Sequence, residues 1–232
     1  FMNTENKISK DEIIVNIIHE LKTPITTIYL VSQTLRNNFD DIGEINYFDI
    51  IDEECSTMSN LLDRLIMLNK IEDPKIQFDN NINIHDVLTV AVNSMKATLK
   101  GKKGILTEYY RAEHFIVKGN GDLLISAFRN IIQNSIIYCN TVPEITITTY
   151  NENNDIVLLF SDNGIGIEEK YYDKVFDKYY KIPDKKHVDG TGLGLYYVNK
   201  NIRRLGGSVV INSCVGKGTT LKITLPICLT KI

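Results

Sequence analysis

The chain has 232 residues, 43% of them apolar and 24% charged, which is the make-up of folded domains with cores of ordinary size. A formal net charge of -3 argues against nucleic acid as the main partner. Cys55, Cys139, Cys214 and Cys228 are scattered with no C-x-x-C pair, which speaks against a disulfide framework or a zinc site and for a reducing compartment. No run of about 18 apolar residues is present to span a bilayer. Phe1 ahead of Met2 is an unusual start, and the expectation is a fragment of a longer chain.

Residues 8 to about 36 read as a long helix. Ile14, Ile18, Leu21, Ile25, Ile28, Val31 and Leu35 fall in steps of three and four, so they form one apolar stripe. His19 lies at the edge of that stripe, within Ile18-His19-Glu20-Leu21-Lys22-Thr23-Pro24. A neutral imidazole has one bare nitrogen able to attack phosphorus while the other keeps its proton. Glu20 can accept a hydrogen bond from that second nitrogen, which fixes the tautomer and stabilises charge during attack. Thr23 follows one turn later on the same face and can hold a water for hydrolysis of a phosphoryl group. Pro24 cannot donate to the carbonyl of Glu20, so a kink is expected just past the histidine. The plainer alternatives are a surface histidine on an ordinary core helix and a threonine that serves only backbone geometry.

A polar connection through Asn37-Asn38 and Asp40-Asp41-Ile42-Gly43 suits an antiparallel helix pair. A second helix is predicted over about 44–72, with Phe48, Ile51, Cys55, Met58, Leu62 and Leu65 on one face. Two such helices expose more apolar surface than a hairpin covers. Pairing two hairpins into a four-helix bundle, hence a homodimer, is the simplest remedy; packing on the remaining chain is the alternative. Asp73-Pro74 ends the helix. The predicted domains are 1–74 and 75–232.

Beyond that point the period changes. Helices are predicted over 84–100, 122–138 and 191–205, the second with Leu124, Phe128, Ile131, Ile132 and Ser135 on one side. Strands are predicted over 105–110, 115–117, 144–150, 156–160, 208–211 and 219–225. The expected fold is an α/β sandwich, a mixed sheet with helices on one face.

This second domain carries clusters in a fixed order. Asn130 and Asn134 stand four apart on a helix, and amide oxygens suit a hard cation that bridges phosphates. Asp162-Asn163-Gly164-Ile165-Gly166 follows a buried strand; the carboxylate can accept from an exocyclic amine, and Gly164 and Gly166 let backbone approach a base. Val175-Phe176-Asp177-Lys178-Tyr179-Tyr180-Lys181 mixes aromatic and basic residues, with Lys181 able to reach phosphate. Gly190-Thr191-Gly192-Leu193-Gly194-Leu195 opens a helix, where backbone N–H groups cradle anions. The absence of a surrounding parallel βαβ unit counts against a dinucleotide fold.

Taken together, the His19 stretch resembles the H-box of bacterial sensor histidine kinases, and the later clusters resemble their N box, first G box, F box and second G box. The similarity runs across nearly the whole chain. It implies a dimeric phosphoacceptor hairpin followed by an ATP-binding domain of the GHKL (Bergerat) type. It implies that His19 is the phosphoacceptor and that Asn134, with Asn130, holds Mg²⁺. It further implies that Asp162 reads adenine, that Tyr138 lies beside the base, and that Gly192 and Gly194 contact phosphate. Thr220 looks like the family's threonine near the adenine. The implied reaction is ATP-dependent autophosphorylation, then transfer to an aspartate of a response-regulator receiver domain, with dephosphorylation of that partner as a further activity. An upstream sensor would anchor the full-length protein in the bacterial inner membrane, leaving this portion cytoplasmic. Two positions depart from the family pattern: Ile137 stands where a lysine is common, and Lys181 where an arginine is, a point charge in place of a planar fork. Rival readings are another GHKL ATPase, or a dimeric docking module with a degenerate nucleotide site.

Overall fold

The computed structural model describes residues 10–37, scattered positions from 47 to 58, 80–183 and 192–228. Its contacts divide the chain into two units, Phe1–Asp73 and Pro74–Ile232.

The first unit opens with helix α1 (Lys10–Asn37), which continues across Pro24. Proline leaves one carbonyl without its helical donor, and threonine hydroxyls bind carbonyls of the same turn. Thr26 donates to the Lys22 oxygen at 2.8 Å and Thr27 to the Thr23 oxygen at 3.2 Å. Val31 and Pro24 are buried, yet Ile18 and Ile25 of the apolar stripe are 56% and 51% exposed. Tyr47, Phe48, Ile50, Ile51, Glu54, Cys55 and Met58 are helical too. The side chains of His19 and Glu20, the connection at 38–46 and the rest of the predicted second helix lie outside the described residues.

The second unit runs β1 (Asn80–Asn83), α2 (Ile84–Gly101), β2 (Ile105–Tyr110), β3 (Ile116–Gly119), α3 (Gly121–Ile137), β4 (Glu144–Glu152), β5 (Asp155–Asp162), α4 (Gly194–Arg204), β6 (Ser208–Cys214) and β7 (Gly218–Pro226). Single 3₁₀ turns at Glu169–Tyr171 and Lys174–Phe176 lie between β5 and α4. Five strands form a mixed sheet in the order β2-β4-β5-β7-β6, parallel between β2 and β4 and antiparallel elsewhere. One sheet face carries Ile145, Ile147, Leu158, Phe160, Leu221, Ile223 and Leu225, all buried. The other carries Thr146, Thr148, Ser161, Thr220, Lys222 and Thr224. This alternation leaves one face for the helices. Phe128 of α3 meets Phe160 of β5 with ring centroids 5.5 Å apart, joining helix layer to sheet. Asn83 and Asn120 cap α2 and α3 by accepting backbone N–H groups with their side chains.

Two local features differ from the sequence expectation. β1 reads Asn80-Asn81-Ile82-Asn83, with no alternation to reveal a strand; it exists because it pairs with β3, Asn80 opposite Gly119. The helix expected from Thr191 begins at Gly194. Gly192 has φ +67, a left-handed conformation that cannot continue a right-handed helix, and Leu193 serves as the N-cap.

Candidate functional site

The predicted clusters of the second unit meet at one end of the helix layer. Asn130 and Asn134 lie on α3, where a four-residue step stacks them. A Cβ placed on Gly194 would sit 3.6 Å from Asn130 Oδ1 and 3.8 Å from Asn134 Nδ2, so the first turn of α4 faces both amides. Asn130 Nδ2 donates to the Ser126 carbonyl at 3.0 Å, which turns its Oδ1 towards α4. The N–H groups at the start of α4 lack helical partners and carry the positive end of the helix dipole. An anion and a hard cation thus have complementary groups side by side.

Asp162 ends β5. Its Oδ1 accepts from the Gly164 N–H at 2.9 Å and the Thr219 N–H at 3.1 Å, and its Oδ2 accepts from the Ser135 hydroxyl at 3.1 Å. Gly164 is pressed against the end of α3: an added Cβ would lie 2.8 Å from the Tyr138 carbonyl oxygen. That same oxygen accepts from the Ile165 N–H at 2.9 Å. Tyr138, half-buried, is thereby held beside the Asp162 turn. Gly166, at φ +71, has no room for a side chain, since a Cβ would sit 2.2 Å from the Cys214 carbonyl oxygen. Asn163 accepts from the Glu144 N–H at 2.9 Å and donates to the Val142 carbonyl at 3.0 Å, tying this loop to the segment after α3.

The aromatic–basic cluster closes on the second glycine run. Tyr179 N–H donates to the Gly192 carbonyl at 3.0 Å. Lys178 Nζ stands 5.4 Å from the Tyr179 ring centroid, and Lys181 is exposed. Leu193 is buried beneath this turn. Gly190 and Thr191 fall outside the described residues. Ile137 is 37% exposed at the end of α3.

Thr220 is not beside Asp162. Strand register sets it opposite Ser161, to which it is hydrogen-bonded at 2.9 Å on the far face of the sheet. Thr219 is the residue opposite Asp162. Its Oγ1 lies 2.8 Å from Ser213 Oγ, which also accepts from the Ile167 N–H at 2.9 Å. A strand changes face at every residue, so Thr219 and Thr220 lie on opposite faces of the sheet. Ser135 also escaped assignment to the site. The available signal was a hydroxyl on the buried face of α3, where an unpaired polar group is costly.

Among the described residues, no three His, Cys, Asp or Glu side chains gather as a metal site. The two amides beside the phosphate-type cradle instead suit Mg²⁺, which takes few protein ligands and completes its shell with water and phosphate oxygens. No helix among the described residues is long and apolar enough to cross a membrane.

Residues 119–228 match the family described as "Histidine kinase-, DNA gyrase B-, and HSP90-like ATPase", and residues 9–74 match the "His Kinase A (phospho-acceptor) domain". The heme sensor protein HssS of Staphylococcus haemolyticus is 28% identical over 91% of this chain and 46% of its own length. The phosphate regulon sensor protein PhoR of Pseudomonas aeruginosa is 27% identical over 91% of this chain and 48% of its own. The sensor histidine kinase WalK of Bacillus subtilis is 28% identical over 93% and 36%. The chain therefore spans about half, or less, of the curated relatives it matches. Among solved structures, the Acinetobacter baumannii histidine kinase AdeS superposes with a TM-score of 0.63 at 20% identity, covering 90% of this chain and 98% of that one. Histidine kinase ThkA, solved in complex with the response regulator TrrA, gives 0.68 at 16% identity, covering 95% and 63%. These likenesses show the fold. With the phosphoacceptor match over residues 9–74 preceding the ATPase match over an α/β sandwich, the chain belongs to the sensor histidine kinases of two-component signalling, a family of ATP-binding transferases.

Proposed function

We propose that this chain phosphorylates itself on His19 at the expense of ATP and passes the phosphoryl group to an aspartate of a response regulator. The carrying observation is the convergence of Asn130, Asn134 and Gly194 with the Asp162 turn in the unit that follows the His19 helix. Asp162 Oδ2 accepts from the adenine amino group, and Gly164 and Gly166, packed against this chain's own backbone, shape the turn that admits the base beside Tyr138. The N–H groups at Gly192, Leu193 and Gly194, with Gly190, Thr191 and Lys181, hold the phosphates. Asn134, with Asn130, would hold Mg²⁺, which neutralises charge on the phosphate oxygens.

The neutral His19 imidazole attacks the γ-phosphorus. An N–P bond forms, the bond to the β-phosphate oxygen breaks, ADP departs, and Glu20 takes the proton of the other ring nitrogen. Catalysis is chiefly positioning and charge neutralisation. The aspartate carboxylate of the receiver domain then displaces the imidazole. Thr23, exposed on α1, holds a water for the reverse task of hydrolysing the regulator's acyl phosphate. The exposed Ile18 and Ile25 on the apolar stripe support a homodimer in which a second hairpin covers them. In the full-length protein an upstream segment anchors this portion on the cytoplasmic side of the membrane.

The test is incubation with labelled ATP and Mg²⁺. The expected product is a phosphoprotein stable in base and labile in acid, lost in His19→Gln while nucleotide binding persists. Label retained by His19→Gln would overturn the assignment.

A further inference from the structure

We propose that Ser135 is a specificity-determining positioning residue: its hydroxyl fixes Asp162 as an acceptor and thereby makes the pocket select a 6-aminopurine over a 6-oxopurine. The inference rests on the reading of Asp162 as the base-recognising carboxylate.

Ser135 is on α3, directly after Asn134, and is 5% exposed. Its Oγ has two acceptors in reach, Asp162 Oδ2 at 3.1 Å and the Ile131 carbonyl at 3.2 Å, but only one proton. The Ile131 carbonyl already takes the helical N–H of Ser135, and a carboxylate is the stronger acceptor, so the proton goes to Asp162. Oδ1 is filled by the Gly164 and Thr219 N–H groups. Oδ2 is then the oxygen left for a ligand, and Ser135 occupies part of its acceptor capacity. A base with an amino group at the remaining direction completes the carboxylate. A base with a carbonyl there sets acceptor against acceptor and is rejected. The buried hydroxyl also keeps water from that place. Without it, a water donates one proton to Oδ2 and the other to a 6-oxo group, and the rejection relaxes.

The experiment is calorimetry of the whole chain with ADP and with inosine diphosphate, both with Mg²⁺, for wild type, Ser135→Ala, Ser135→Thr and Asp162→Asn. The preference for ADP is expected to fall about tenfold in Ser135→Ala, the scale of one hydrogen bond to a charged group. It should be recovered at least in part by Ser135→Thr, which restores a hydroxyl. Asp162→Asn should lose the preference. A wild-type ratio in Ser135→Ala, or equal weakening of both nucleotides, overturns the role of Ser135 while leaving Asp162 in place. A wild-type ratio in Asp162→Asn overturns the reading of Asp162 itself, and the inference with it.

Discussion

Tyr179 and Gly192 clasp one another through a 3.0 Å hydrogen bond from the tyrosine N–H, and both residues have φ +67. The aromatic–basic segment and the turn before α4 are thus one structural piece, although the residues between them are largely polar. A side chain at Gly192 would place its Cβ 2.5 Å from the Tyr179 carbonyl carbon and 2.6 Å from the Tyr180 oxygen. Backbone atoms cannot swing aside as a flexible side chain can.

Gly192→Ala should therefore cost about 1–3 kcal/mol of stability through backbone strain and weaken nucleotide binding. Chemical denaturation with calorimetry checks both. An alanine variant with wild-type stability and ADP affinity would show that the clasp is dispensable.

Thr219 and Thr220 should part company. Thr219→Val removes one hydroxyl from the half-buried Ser213 network that holds the loop after Gly166. Ser213 keeps its bonds to the Gly218 carbonyl and the Ile167 N–H, so the cost is that of one hydrogen bond, about 0.5–1.5 kcal/mol, and ADP affinity should fall severalfold. Thr220→Val lies on the opposite face and should leave ADP affinity unaltered. Equal effects of the two substitutions would reject the register argument.

Asn134→Asp puts a carboxylate where an amide faces the start of α4. The expected result is altered Mg²⁺ dependence of ATP binding and loss of autophosphorylation, with the melting transition preserved. Titrating ATP with and without Mg²⁺ measures it, and wild-type behaviour in both would retire the metal assignment.

His85 supplies a pH dependence. Its ring stacks between Tyr110 and Phe115, with centroids 4.8 and 4.6 Å away, and its Nε2 is 3.0 Å from the hydroxyl of buried Thr149. Burial lowers its pKa, against the opposing charge of Asp86. A lowered pKa means that the unfolded chain binds the proton more readily. Stability is therefore unaffected by this group well above the unfolded value and declines as pH falls through that value towards the folded one. His85→Phe should flatten the loss of melting temperature between about pH 7.5 and 5.5, the span around the ordinary imidazole pKa. An identical slope in the variant would exclude His85 as a source.

Thr23→Ala should slow decay of a phosphorylated response regulator much more than it slows autophosphorylation, because only hydrolysis needs the water held by the hydroxyl. Equal decay rates with the two proteins would leave Thr23 a structural residue of the Pro24 turn.

Much of this protein is legible in one dimension. The three-and-four spacing of Ile18, Leu21, Ile25 and Ile28 follows from helix geometry, and α1 covers that stretch. The run Ile156 to Phe160 is long enough and apolar enough to be a buried strand, and β5 contains it. Asn130 and Asn134 share a face because four residues make about one helical turn. The glycine clusters announce close backbone approach because only glycine allows it, and at Gly164, Gly166 and Gly192 the atoms approached are mostly this chain's own backbone, a partner the sequence did not name.

What tertiary structure alone decided is which residues meet across elements. β1 has no pattern of its own and is a strand only because β3 pairs with it. Which of Thr219 and Thr220 stands opposite Asp162 is set by the register of β7 against β5, a long-range property that alternates with every residue. The left-handed turn at Gly192 delays the start of α4 to Gly194, and so sets which residue of its first turn faces the two asparagines. Ser135 reads in sequence as one more residue on the core face of a helix. Only the packing of α3 over the end of β5 brings its hydroxyl to Asp162, because a hydrogen bond between residues 27 apart in sequence is set by the fold and not by any local spacing.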